Sequence, residues 1–179
     1  MRRAQSILID AIKEAGEING DIIKVDRILN HQVDTRLVKA IGDDIAVHFR
    51  NTPIDKVITV EASGIPAAQA AAFALGVNYV FAKKKNPITM KEFFCCESFS
   101  FTKNESTTLY VSKEVLGKGD RVLFVDDFYA KGDTLRAIEN ILEQAGAVLA
   151  GAAVIIDKMG REDIHSVLTM KELKEGLDA

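Results

Sequence analysis

Apolar segments of strand length alternate with segments of helical period along most of this chain, and that alternation constrains its fold more than any other feature. Lys56 to Val60 and "VNYVFAKK" (residues 77–84) read as buried strands. So do "RVLFVDD" (121–127) and "AVLAGAAVIID" (147–157). Between them lie helical patterns. Asp34 is placed to cap a helix whose face is Leu37, Val38, Ile41 and Ile45. "GIPAAQAAAFALG" is a small-residue helix closed by Gly76, and a helix from near Thr134 puts Leu135, Ile138 and Leu142 on one face before Gly146. Strand and helix in turn give parallel βαβ units and a doubly wound α/β fold, a central and mainly parallel sheet flanked by helices. Such sheets bind ligands at the carboxyl ends of their strands, so Glu61, Asp126 and Asp127 should share one edge.

The remaining segments are less regular. Ile7, Leu8, Ala11 and Ile12 form the face of a first helix, and "GDIIKVDRILNHQ" mixes alternating and turn-like character. Residues 86–112 alternate in places and read as a β-hairpin with its turn at Asn104 to Thr107. The tail from Met159 is charged, with one helical pattern near Met170 to Leu177.

The chain has 179 residues and a net charge of -3, which fits one domain without a general attraction to nucleic acid or anionic membrane. The weakly polar run from Ile65 to Ala82 is alanine-rich and broken by Gln69, Gly76 and Asn78, so it reads as helix then strand rather than a membrane span. Cys95 and Cys96 are adjacent and suit packing better than a disulfide, consistent with a cytoplasmic setting. His31, His48 and His165 have no metal-ligand spacing.

Asp126 and Asp127 are costly side by side at the end of an apolar strand. Carboxylates only accept hydrogen bonds, so the pair suits vicinal sugar hydroxyls or the water shell of Mg2+. A strand end that merely caps the next helix is the plainer reading of the pair alone. The following "FYAKGDT" leads into a helix N-terminus, where backbone N–H groups form an anion site. Sugar-binding acids followed at once by a phosphate loop describe a site for a ribose 5-phosphate. No Walker A sequence occurs, so an ATPase is a poor reading.

"VLFVDDFYAKGDT" resembles the phosphoribosyl pyrophosphate (PRPP) motif of the type I phosphoribosyltransferases. "VDRILNHQVD", "VEASGIPAA", "VFAKKK", "FSFTKN" and "AGAVLAGAAVIIDK" extend the likeness, from Gly20 to Lys158, toward the xanthine branch of bacterial purine salvage. The resemblance implies a single domain (1–179), with a core over 33–157 and a small hood from 1–32 and 158–179. It implies Mg2+-dependent transfer of ribose 5-phosphate from PRPP to N9 of an oxopurine, xanthine first, in a homodimer.

By the same resemblance, Asp126 and Asp127 hold the ribose hydroxyls, stabilise a ribosyl cation and meet Mg2+ through water, with no direct protein ligand to the metal. Ala130, Lys131, Gly132, Asp133 and Thr134 cradle the 5-phosphate. Glu61, Ala62, Ser63 and Gly64 form the pyrophosphate loop, with the strained peptide at Ala62–Ser63, and Lys83 or Lys84 reaches the pyrophosphate. Residues 99–104 resemble the loop that closes over PRPP, with Ser100, Thr102 and the catalytic candidate Lys103. Ile23, Asn30, Phe128 and Lys158 contact the base, lysine donating to O6. Asp133 departs from the family's neutral loop, so it must point outward or be offset by Lys131. Adenine, hypoxanthine or guanine as the base, and a PRPP-sensing purine-operon regulator, are the rival readings. The regulator would need a basic DNA-binding domain ahead of this core.

Overall fold

The computed structural model describes residues 2–20, 22–100 and 105–178. Five parallel strands form its central sheet. They are β3 (Lys56–Val60), β4 (Asn78–Ala82), β7 (Arg121–Tyr129), β8 (Val148–Asp157) and β9 (His165–Thr169), in the spatial order β4-β3-β7-β8-β9. The middle strand, β7, is buried on both faces: Val122, Leu123, Phe124 and Val125 are all almost inaccessible. Removing one such side chain from water contributes about 1.5–3 kcal/mol, so this run fixes the strand before any loop chemistry is considered.

The two faces of β7 meet different neighbours. Leu123 and Val125 join the core under α1 (Arg3–Ala15), α2 (Thr35–His48) and α3 (Ile65–Leu75). Val122 and Phe124 join the core under α4 (Asp133–Ala145) and the antiparallel hairpin of β5 (Phe93–Ser100) and β6 (Glu105–Ser112). Asp34 caps α2 as expected, its carboxylate accepting from the Arg36 and Leu37 N–H groups at 2.9 and 3.2 Å. Gly76 and Gly146 close α3 and α4 in the left-handed conformation. The mixed segment after α1 forms a small antiparallel pair, β1 (Glu17–Asn19) and β2 (Ile22–Lys24), followed by a π-helical turn over Asp26–Asn30.

Three expectations change. Glu105 to Thr107 lie in the ladder of β6 rather than in a turn, because they pair with Ser100, Phe99 and Ser98. The acid-bearing strand does not stop at Asp127 but runs on to Tyr129, paired with β8 to its end across a register shift between Val122 and Leu123. The tail is not all hood: His165–Thr169 is an edge strand of the central sheet, and α5 (Met170–Asp178) packs Met170 and Leu173 into the core. Polar His165, Ser166 and Thr169 break the apolar run, which conceals this strand in the sequence.

The β8–β9 return is short for a parallel connection, which ordinarily needs a dozen or more residues. It closes because β9 starts opposite Ala153, so the chain backs up only part of the length of β8. Asp157, fully buried, folds the return: its carboxylate accepts the Met159 N–H at 2.8 Å and the Arg161 N–H at 2.5 Å.

Candidate active site

The strand order reverses between β3 and β7. From β3 the sheet continues outward to β4; from β7 it continues the other way to β8 and β9. The β3–β7 register ends at Ile58↔Phe124, while β7 continues with β8 to Tyr129. A crevice therefore opens at the carboxyl ends of these two strands, where open α/β sheets bind ligands. A cavity of about 270 Å³ lies there, lined by Glu61, Ser63, Lys84, Asp126, Asp127, Phe128 and Thr134 of the expected residues.

The two acids differ in burial, Asp127 being half-buried. Asp126 is only 8% exposed. Burial, reinforced by the neighbouring Asp127 charge, pushes its carboxyl well above the usual range, with Lys84 pulling the other way. Each carboxylate accepts the next residue's amide: Asp126 Oδ1 from the Asp127 N–H at 3.0 Å, and Asp127 Oδ1 from the Phe128 N–H at 2.9 Å. Gly64 lets the loop after β3 approach this pair. A Cβ there would lie 2.5 Å from Asp126 Oδ1 and closer still to Thr59 Oγ1. That Thr59 hydroxyl is buried and has no hydrogen-bond partner among the described residues.

In the loop from Glu61 to Gly64 the cis peptide bond is Glu61–Ala62, one residue earlier than the expected Ala62–Ser63. Glu61 Oε1 accepts the Lys84 N–H at 2.7 Å, which ties this loop to the end of β4. The lysine run resolves accordingly. Lys83 pairs its main chain with Tyr110 of β6 and lies 5.4 Å over the Phe81 ring, whereas Lys84 lines the cavity.

The loop after β7 turns at Gly132, whose φ of 77° and contact with the Tyr129 hydroxyl leave no room for a side chain. No side chain caps α4, so its first-turn N–H groups stay available to an anion. Asp133 is offset by Arg136: the guanidinium pairs with the Asp133 carboxylate and donates to the Lys131 carbonyl at 3.1 Å. The Asp133 charge is thereby balanced within α4 itself.

Lys158 lies 5.3 Å over the Phe128 ring, so these two base-contact candidates come together. Ile23 is buried in the core, and Asn30 is exposed at the end of the π-turn; neither lines the cavity. Thr102 and Lys103 lie outside the described residues, as does the side chain of Ser100. Sequence reasoning missed Ser98 and Thr107. They are cross-strand partners in the hairpin, and with Leu109 they present a period-two face to the cavity. The alternation in "ESFSF" and "STTLYV" carries that signal, but not which face meets the sheet.

Mg2+ fits the donor set. The Asp126 and Asp127 carboxylates that line the cavity are hard oxygen ligands of the kind Mg2+ takes.

Comparison with known proteins agrees with this geometry. Residues 24–174 match the model of the phosphoribosyl transferase domain. A xanthine phosphoribosyltransferase of Geobacillus thermodenitrificans is 44% identical over 153 residues, 84% of this chain and 79% of the relative. One from Pseudomonas fluorescens is 39% identical over 178 residues, 93% of this chain and 94% of the relative. Among solved structures, adenine phosphoribosyltransferase of Thermoanaerobacter pseudethanolicus superposes with a TM-score of 0.74 at 20% identity, covering 90% of this chain and 99% of that one. That of Rhodothermus marinus gives 0.73 at 22%, covering 92% and 99%. At that identity the structural likeness speaks to the fold, while the sequence relatives and the domain model speak to descent: this chain belongs to the phosphoribosyltransferase family.

Proposed function

We propose that this enzyme transfers ribose 5-phosphate from PRPP to N9 of xanthine, releasing pyrophosphate, as a step of purine salvage. The observation that carries the reading is the convergence of Asp126, Asp127, Thr134, Glu61, Ser63 and Lys84 on one cavity at the reversal of strand order. Asp126 and Asp127 accept the two ribose hydroxyls. The first turn of α4, with Ala130 to Thr134, holds the 5-phosphate. Glu61 to Gly64 and Lys84 hold the pyrophosphate. The base lies against Phe128, and Lys158 donates to an exocyclic oxygen, which adenine lacks.

As the bond from C1 to pyrophosphate lengthens, positive charge develops on the ribose. The two carboxylates stand beside it, Asp126 in a buried position where preorganised charge counts most. Asp126 and Asp127 would help to hold Mg2+ beside the pyrophosphate, and the ion would supply positive charge against the leaving group. Lys103, outside the described residues, belongs to this reading as its further catalytic candidate. The same reading takes the enzyme as a cytoplasmic homodimer; no helix among the described residues is long and apolar enough to cross a membrane.

The test is a panel of xanthine, guanine, hypoxanthine and adenine with PRPP and Mg2+. Xanthosine monophosphate should form with the highest kcat/KM. A higher value for adenine, or no nucleotide from any base, would overturn the proposal.

A further inference from the structure

Tyr129 sits where the phosphate loop and the base-side return leave the sheet, and it touches both. Its ring and hydroxyl back directly onto Gly132, the turn of the phosphate loop. Its carbonyl accepts the Lys158 N–H at 2.9 Å. Its hydroxyl accepts from Arg161 Nη1 at 2.9 Å, and the Arg161 guanidinium lies 5.4 Å over the ring. Tyr129 is 6% exposed, so its ring is held by packing, whereas the Arg161 side chain is 44% exposed and is held by its own hydrogen bonds.

Arg161 is itself held at several points. Its amide is bonded to buried Asp157, and its guanidinium forks onto the Asp163 carboxylate, with Nε donating at 2.7 Å. Main chain and side chain are thus fixed together, a geometry that arginine's planar fork supplies and lysine's ammonium does not.

We propose that Tyr129 and Arg161 form a strut that links the 5-phosphate loop to the Lys158 turn, so that filling the base site tightens the hold on the ribose phosphate. Both are positioning residues: neither lines the cavity where PRPP is placed. A displacement of the Lys158 turn is carried through Arg161 and the Tyr129 hydroxyl to Gly132. By linkage the effect is reciprocal, ribose phosphate tightening the base to the same degree. The inference rests on the assignment of the base to the Lys158 side of the site.

Ribose 5-phosphate tests it, since without a leaving group it cannot react with the base. Calorimetry gives its Kd with and without saturating xanthine for the wild type, Tyr129→Phe and Arg161→Ala. Tyr129→Phe keeps the ring and carbonyl and removes only the hydroxyl, so it stays informative should Arg161→Ala fail to fold. In the wild type, xanthine should tighten ribose 5-phosphate by about 5-fold or more. In both variants that factor should fall toward one, while Arg161→Lys recovers little of it. A purely structural role would weaken each ligand separately and leave the ratio intact. An unchanged factor in Tyr129→Phe, or a wild-type factor of one despite xanthine binding, overturns the strut alone. Absence of xanthine binding by the wild type overturns both the strut and the base assignment.

Discussion

At the scale of single residues, the site concentrates charge that the fold alone would reject. Asp126 is buried beside a second carboxylate, and its raised pKa means that the folded state binds its proton more readily than the unfolded chain does. The contribution to stability is therefore full below the ordinary aspartate range and is lost as pH rises through the folded value. At neutral pH the ligand-free protein carries that cost. Asp126→Asn should accordingly keep or raise Tm at pH 7 while lowering kcat/KM by about 100-fold or more, the scale of losing one preorganised group that stabilises developing charge. Thermal unfolding and steady-state kinetics on the same preparation check both halves. A drop in Tm with activity kept would refute the assignment. The acids were legible in sequence because strand, acid pair and glycine loop are contiguous. Asp133 was legible as an anomaly, but its partner Arg136 was not: the i, i+3 spacing is visible in the sequence, while the side-chain orientation that closes the pair is set by the fold.

At the scale of elements, α2 and α3 approach closely through Gly42, where a Cβ would lie 2.5 Å from the backbone of Ala70. Gly42→Ala should push the helices apart and cost about 1–3 kcal/mol. A lower denaturant midpoint at unchanged m-value would measure it, and a midpoint equal to wild type would refute the packing argument.

The end of α2 meets β9 through a stack of His48 on His165, ring centroids 4.0 Å apart, with Asp44 and Arg2 alongside. Partial desolvation lowers the pKa of His48, which is exposed on one side, helped by His165 and Arg2 and opposed by Asp44. The folded protein thus takes up this proton later than the unfolded chain, so stability is full above about pH 6.5 and falls as pH drops below it. Tm measured from pH 8 to pH 5 should decline more steeply in the wild type than in His48→Gln; parallel curves would sink the idea. The long helices and buried strands were readable from periodicity and caps. The edge strand β9 was not, because its polar residues meet partners far away in the chain, and neither was the hairpin's inward face.

At the scale of the whole molecule, doubly wound order and site location follow together, since the crevice exists only where the connections diverge. Sequence alternation predicts the crevice's lip but not how far each strand runs. The ladder between β3 and β7 runs from Lys56 to Ile58, with Asp55 and Arg121 bonded at its amino end and nothing of it reaching Val60, whereas β7 and β8 stay paired from Arg121 to Tyr129. In mechanical terms the sheet has a seam, and the substrate's groups are assigned to opposite sides of it: pyrophosphate to the β3 side, ribose and 5-phosphate to the β7 side. A bound PRPP then acts as a stitch. Pulled between β4 and β9 in a single-molecule experiment, the ligand-free protein should part first along this seam. PRPP should raise the rupture force, and ribose 5-phosphate, which reaches only one side, should leave it nearly unchanged. Equal reinforcement by the two ligands would mean that the load passes elsewhere.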